Sequence, residues 1–169
     1  SAAALAGFRA TLNARAFTEV QTPKIVASAT ESGANVFQLD YFGRPAFLAQ
    51  SPQFYKQIMV GVFERVYEVG PVFRAEPHDT IRHVNEYVSL DVEFGFIDNH
   101  FTVMGLLGEV LAGIFDHLQE RCGAELALLE VALPVVPAEI PHIHFADAQA
   151  LILRLRGEDV RGEPDLSPQ

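Results

Sequence analysis

Glu64 to Ile97, ERVYEVGPVFRAEPHDTIRHVNEYVSLDVEFGFI, is the stretch on which the fold turns. Val66 to Arg74 alternates apolar side chains and closes on Phe73-Arg74-Ala75-Glu76; Tyr87 to Ile97 does the same and carries Asp91 and Glu93. Two Val-, Phe- and Tyr-rich runs around a polar break predict an antiparallel strand pair. The break holds Pro77, His78, Asp79, Thr80, Arg82, His83, Asn85 and Glu86, whereas a hairpin needs only about two to five turn residues. A loop this long and charged is suited to an anionic, polar ligand.

Upstream, Ser1 to Phe17 places Leu5, Phe8, Leu12 and Ala16 at helical spacing, which predicts an amphipathic helix rather than a signal peptide. Phe17 to Ile25 alternates like a strand and is broken by Pro23, a residue of strand ends and edges. Ser28 to Asn35 reads as a loop, and Val36–Tyr41 and Arg44–Ala49 bracket Gly43 as a hairpin. Ser51-Pro52 predicts a helix start, with serine as the N-cap and proline at the first helical position. Downstream, Thr102 to about Arg121 has a helical apolar stripe with a stop at Cys122-Gly123, and Phe145 to Arg156 is a further helix. The order of elements predicts an α+β fold, an antiparallel β-sheet flanked by helices.

The 169 residues suffice for one domain with a core. A net charge of −10 argues against a surface that binds nucleic acid everywhere, so a polyanion would need a few placed cations. The single cysteine, Cys122, excludes an internal disulfide framework; it is expected as a structural thiol in a cytoplasmic protein. No apolar run is expected to reach the ~18 residues of a membrane span, and no membrane partner is expected.

Several residues could carry chemistry. Arg74 and Glu76 share a sheet face; they are either a surface ion pair or a fork for phosphate or carboxylate beside an acceptor for an amine. Arg82 and His83 are solvated loop cations or the reach toward a polyphosphate. Tyr87 is core or a stacking platform for a base. Asp91 and Glu93 share Tyr87's face and call for cations or ligands to meet them. Lys56 is a surface lysine or the cation of a pocket. His142 and His144 form an H-x-H that would share one face of a strand, with no third ligand close in sequence to make a metal site. No P-loop, G-x-G-x-x-G, C-x-x-C or G-x-S-x-G is present. A nucleotide would therefore be held by a sheet, arginine and an aromatic ring.

At these residues the chain resembles the catalytic domain of class II aminoacyl-tRNA synthetases, within them the aspartyl-tRNA synthetases of archaeal-like type. FTEVQTPKI resembles motif 1 (about residues 8–25), which builds a dimer interface. SATESGANVF resembles the loop that closes over aspartate, and AQSPQFYKQIMV the aspartate-pocket signature (residues 28–57 together). VYEVGPVFRAEPHDTIRHVNEYVSLDVEFGFI resembles motif 2 (residues 66–97). The resemblance implies ATP-dependent activation of L-aspartate and its transfer to tRNA-Asp, with tRNA-Asn left open, by a homodimer. It implies that Arg74 holds the α-phosphate and the aspartate carboxylate, Glu76 the adenine amine, Arg82 and His83 the terminal phosphates, and that Tyr87 stacks on adenine. Glu31, Gln53 and Asp91 would receive the substrate ammonium and Lys56 its side-chain carboxylate.

The sequence departs from that pattern in Ser32, where the family usually has Gly, and in lacking the anticodon-binding barrel and motif 3. The chain is thus expected to be the N-terminal half of a catalytic domain, with the Mg²⁺ ligands and the second aspartate-binding arginine elsewhere. A synthetase-like asparagine synthetase and an inactive binding or dimerisation fragment are the alternatives; Gln50-Ser51-Pro52-Gln53 with Lys56 follows the aspartyl rather than the asparaginyl pattern.

Overall fold

Helix α1 (Ala2–Ala14) places Gly7, Phe8 and Leu12 on one face, and that face is buried. The computed structural model describes residues 1–28, 36–77 and 84–166. Ala16, expected on the helix stripe, lies beyond its end with φ of 59°. Glu31, Ser32, Arg82 and His83 fall outside the described residues.

The run from Phe17 to Ile25 is not one strand. Pro23 has no N–H to donate, and the run forms β1 (Thr18–Glu19) and β2 (Ile25–Val26), which join different sheets. β2 pairs antiparallel with β4 (Arg44–Leu48), and β4 with β3 (Gln38–Tyr41). The two-residue turn at Phe42 and Gly43 has φ of 52° and 76°, the conformation that suits a strand pair's twist. Asp40 Oδ1 accepts the Gly43 N–H at 2.9 Å.

The predicted long pair is β5 (Arg65–Phe73) and β6 (Glu86–Phe94), antiparallel with Glu68 opposite Asp91 and Val72 opposite Tyr87. β1 adds to β5 in parallel, so this sheet is mixed where an antiparallel one was expected. Parallel pairing needs a long connection, supplied here by everything between Glu19 and Arg65. The two sheets meet where Phe73 N–H donates to Ala49 O at 2.9 Å.

Alternation sorts β5 and β6 into two faces. Tyr67 and Val69 pack with Phe8, Leu12, Phe17 and Val110 in one core, closed by Val92, Phe94, Leu106 and Ile114. Phe8 meets Tyr67 edge-on at 5.7 Å, and Phe17 meets Phe94 at 5.6 Å. Each large apolar side chain buried here contributes roughly 1.5–3 kcal/mol. The opposite face of the pair is polar.

Helix α3 (His100–Leu128) is longer than the stop at Cys122-Gly123 suggested. Cys122 leaves helical geometry (φ −128°, ψ 19°), so the signal marks a kink and the helix resumes. α3 crosses α1 at glycine: a Cβ on Gly7 would lie 2.9 Å from Gly113 O, and a Cβ on Gly113 would collide with Thr11 Oγ1. The backbones approach this closely only because neither residue has a side chain. By length and composition α3 is apolar enough to cross a membrane, contrary to the expectation. Glu109 and Asp116 break its apolar run, Glu109 pairs with Arg15, and Val110 belongs to the core.

Residues Val136–Gln169 form a separate compact unit. Its helix α4 (Phe145–Arg156) has the predicted bounds, with Asp147 in the first turn, Arg154 and Arg156 in the last, and Gly157 ending it at φ 73°. His144 Nδ1 accepts the Ala146 N–H at 3.3 Å as the N-cap. The H-x-H pair therefore lies on no strand, and His144 is committed to starting a helix.

Candidate active site

The polar face of β5 and β6 carries Val66, Glu68, Gly70 and Val72 against Glu93, Asp91, Ser89 and Tyr87. Carboxylates at the centre of a sheet are costly unless cations and donors meet them. Helix α2 (Gln53–Phe63) meets two of them. The helix starts at Gln53 with Pro52, not Ser51, as its N-cap: Pro52 O accepts the Lys56 N–H at 2.9 Å, and Ser51 Oγ, one residue earlier than a cap, accepts the Gln53 N–H at 3.2 Å. Gln53 and Lys56 then stand one turn apart on the helix side that faces β6.

Lys56 is 4 % exposed, not the surface lysine that an isolated helix would have. Its Nζ lies 2.9 Å from Asp91 Oδ1 and 3.8 Å from Glu93 Oε2. Gln53 Nε2 donates to Glu93 Oε2 at 3.1 Å. Gln53, Lys56, Asp91 and Glu93 are thus one cluster, three of them drawn from the predicted set. Asp91 takes one of the three ammonium hydrogens, which leaves donors for a second carboxylate.

The third carboxylate, Glu68, is 1 % exposed. It accepts Thr22 N–H at 3.0 Å, Thr22 Oγ1–H at 2.6 Å and Lys24 Nζ at 2.8 Å. Sequence reasoning passed over Thr22, Lys24 and Glu68. The one available signal was that Glu68 shares Arg74's alternation in a strand otherwise apolar at that depth.

Arg74 and Glu76 follow β5, and Tyr87 sits on β6, 39 % exposed. Asn85, also passed over, fixes this end: its carbonyl accepts the Arg74 N–H at 2.9 Å and its Oδ1 accepts the Glu76 N–H at 3.1 Å. Both ends of the charged loop are therefore tied by one residue, with Arg74 and Glu76 held beside each other. Among the described residues no three His, Cys, Asp or Glu side chains gather as a metal centre.

The described residues thus bring together a buried lysine–carboxylate cluster on one sheet face, with Tyr87 on β6 and Arg74 just past the end of β5. The family model for class II tRNA synthetases of the D, K and N group matches residues 1–167. The chain belongs to that family. It is 56 % identical over 162 residues to an aspartate–tRNA(Asp/Asn) ligase of Deinococcus radiodurans, covering 96 % of this chain and 37 % of the relative. A Thermus thermophilus protein of the same name is 49 % identical, covering 89 % and 36 %. Among solved structures, asparaginyl-tRNA synthetase from Pyrococcus horikoshii complexed with asparaginyl-adenylate superposes with a TM-score of 0.87 at 28 % identity, covering 98 % of this chain and 38 % of that one. A Leishmania major protein described as a putative aspartyl-tRNA synthetase is 40 % identical, with a TM-score of 0.64 over 71 % of this chain and 23 % of its own. This class II synthetase chain spans little more than a third of the curated relatives' length.

Proposed function

We propose that this chain is the N-terminal half of the catalytic domain of an aspartate–tRNA ligase, using ATP to convert L-aspartate to aspartyl-adenylate and passing the aspartyl group to tRNA. The observation that carries the reading is the buried Lys56 ammonium, held at 2.9 Å by Asp91 with Gln53 and Glu93 beside it. A fixed cation with donors to spare favours a substrate carboxylate over a carboxamide, and so aspartate over asparagine. Identity to the aspartate ligases supports the same choice; likeness to the asparaginyl enzyme supports the fold, which both amino acids share.

The steps need positioning and electrostatics more than a protein nucleophile. Gln53, Asp91 and Glu31 receive the substrate ammonium, and Lys56 takes its side-chain carboxylate. Arg74 bridges the α-carboxylate and the ATP α-phosphate. An oxygen of that carboxylate attacks the α-phosphorus in line, the bond to the β-phosphate oxygen breaks, and pyrophosphate leaves. Arg74 meets the charge gathering on the α-phosphoryl oxygens. Glu76 accepts from the adenine amine, Tyr87 stacks on the ring, and Arg82 with His83 meets the terminal phosphates. A terminal ribose hydroxyl of the tRNA then attacks the acyl carbon and AMP departs. Mg²⁺ would neutralise ATP charge, but the described residues form no cage for it; its ligands would lie elsewhere in the protein. The same reading makes the protein a cytoplasmic homodimer through motif 1, serving tRNA-Asp and in some forms tRNA-Asn.

Charging of tRNA-Asp and tRNA-Asn transcripts with radiolabelled aspartate by the full-length protein tests the reading. Aspartyl-tRNA is expected on the first, and the second decides between one tRNA and two. Charging with asparagine in place of aspartate would overturn it.

A further inference from the structure

Glu68 and Asp91 face each other across β5 and β6, so their side chains leave the same sheet face side by side. Each carboxylate has its own lysine: Lys24 Nζ lies 2.8 Å from Glu68 Oε1, and Lys56 Nζ 2.9 Å from Asp91 Oδ1. Lys24 sits just before β2, and its Nζ also donates to Thr22 Oγ1 at 3.2 Å. Gly70 leaves the room this pair occupies: a Cβ there would lie 3.1 Å from Glu68 Oε1 and 3.5 Å from Lys24 Nζ. Like charges directly opposed on a sheet repel, and a buried carboxylate stripped of its cation is left as an uncompensated charge. The cation paired with the opposed carboxylate, Asp91, is Lys56.

We propose that Lys24 is a positioning residue for the aspartate pocket: by neutralising Glu68 it keeps the Lys56 ammonium committed to Asp91 and to the substrate. The proposal rests on the aspartate-activating reading above. Lys24 touches no substrate; it acts through the two opposed carboxylates.

The test is ATP–pyrophosphate exchange by the full-length protein carrying Lys24→Met, Lys24→Arg, Glu68→Gln and the Lys24→Met/Glu68→Gln pair. Lys24→Met is expected to raise KM for aspartate about tenfold while KM for ATP stays within about twofold. Glu68→Gln still accepts from Thr22 but needs no counter-charge, so the double variant should return KM for aspartate to within about threefold of wild type. Lys24→Arg, which keeps the charge, should stay near wild type. An unchanged KM in Lys24→Met, or no rescue by Glu68→Gln, overturns the proposal. If Lys24→Met fails to fold by circular dichroism, the double variant decides: folded with a near-wild-type KM supports it, and a raised KM overturns it. A wild-type protein with no aspartate-dependent exchange overturns the functional reading and this proposal together, whereas an active wild type with an indifferent Lys24→Met overturns this proposal alone.

Discussion

Lys56 on α2 and Asp91 on β6 meet at 2.9 Å, with side chains only 5 % and 17 % exposed. Removing the cation strands a largely buried carboxylate, which costs about 3 kcal/mol or more. Lys56→Met should therefore lower the unfolding free energy by roughly that amount and raise KM for aspartate more than KM for ATP. Urea unfolding and exchange kinetics check both halves.

Asn85 ties the two ends of the charged loop through its carbonyl and its side chain. Asn85→Ala keeps the main-chain bond and loses the one to Glu76, a change worth about 1 kcal/mol. The expected outcome is a melting temperature near wild type, with KM for ATP raised about fivefold. Asn85→Asp, which retains the accepting oxygen, should lie closer to wild type in the same assay.

Gly7 sits where α1 crosses α3, and a Cβ there would press to 2.9 Å on both Gly113 O and His117 Cβ. Alanine gains about 1 kcal/mol of helix propensity over glycine, but pushing the backbones apart costs about 1–3 kcal/mol. Gly7→Ala should lower the melting temperature even though alanine is the better helix former; calorimetry checks the sign.

Arg9 clasps Glu19 through Nε and Nη2, at 2.9 Å for the shortest contact. These hydrogen bonds, with a further one from Tyr67, hold the Glu19 carboxyl below its ordinary value of 4.5. A depressed carboxyl contributes stability that is complete above the unfolded value and lost as pH falls through the folded one. Glu19→Gln should therefore narrow its stability gap to wild type as pH drops below about 4.5. Melting curves from neutral pH into that range should converge.

The long strand pair and α4 were legible because their signals are local: alternation for the first, and for the second a run from Phe145 to Arg156 whose ends the structure finds marked by Asp147, Arg154 and Gly157. The turn at Phe42 and Gly43 was legible for the same reason. α3 was misjudged because Gly123 resembles a C-terminal stop, while the structure spends the break at Cys122 on a kink. The parallel addition of β1 to β5 is set by tertiary pairing of two residues, which no alternation pattern announces. Of the site, Gln53, Lys56 and Asp91 were named from motif and charge, and the structure joins them with Glu93. Lys24 and Glu68 escaped because their meeting depends on the approach of separate strands.

The most direct measurement of the central claim is ATP–pyrophosphate exchange by the full-length protein with aspartate, with asparagine and with no amino acid, in wild type and in Arg74→Ala. The account predicts exchange with aspartate alone, abolished in Arg74→Ala while circular dichroism and melting stay close to wild type. Exchange driven by asparagine, no aspartate-dependent exchange, or full exchange by a folded Arg74→Ala would contradict it.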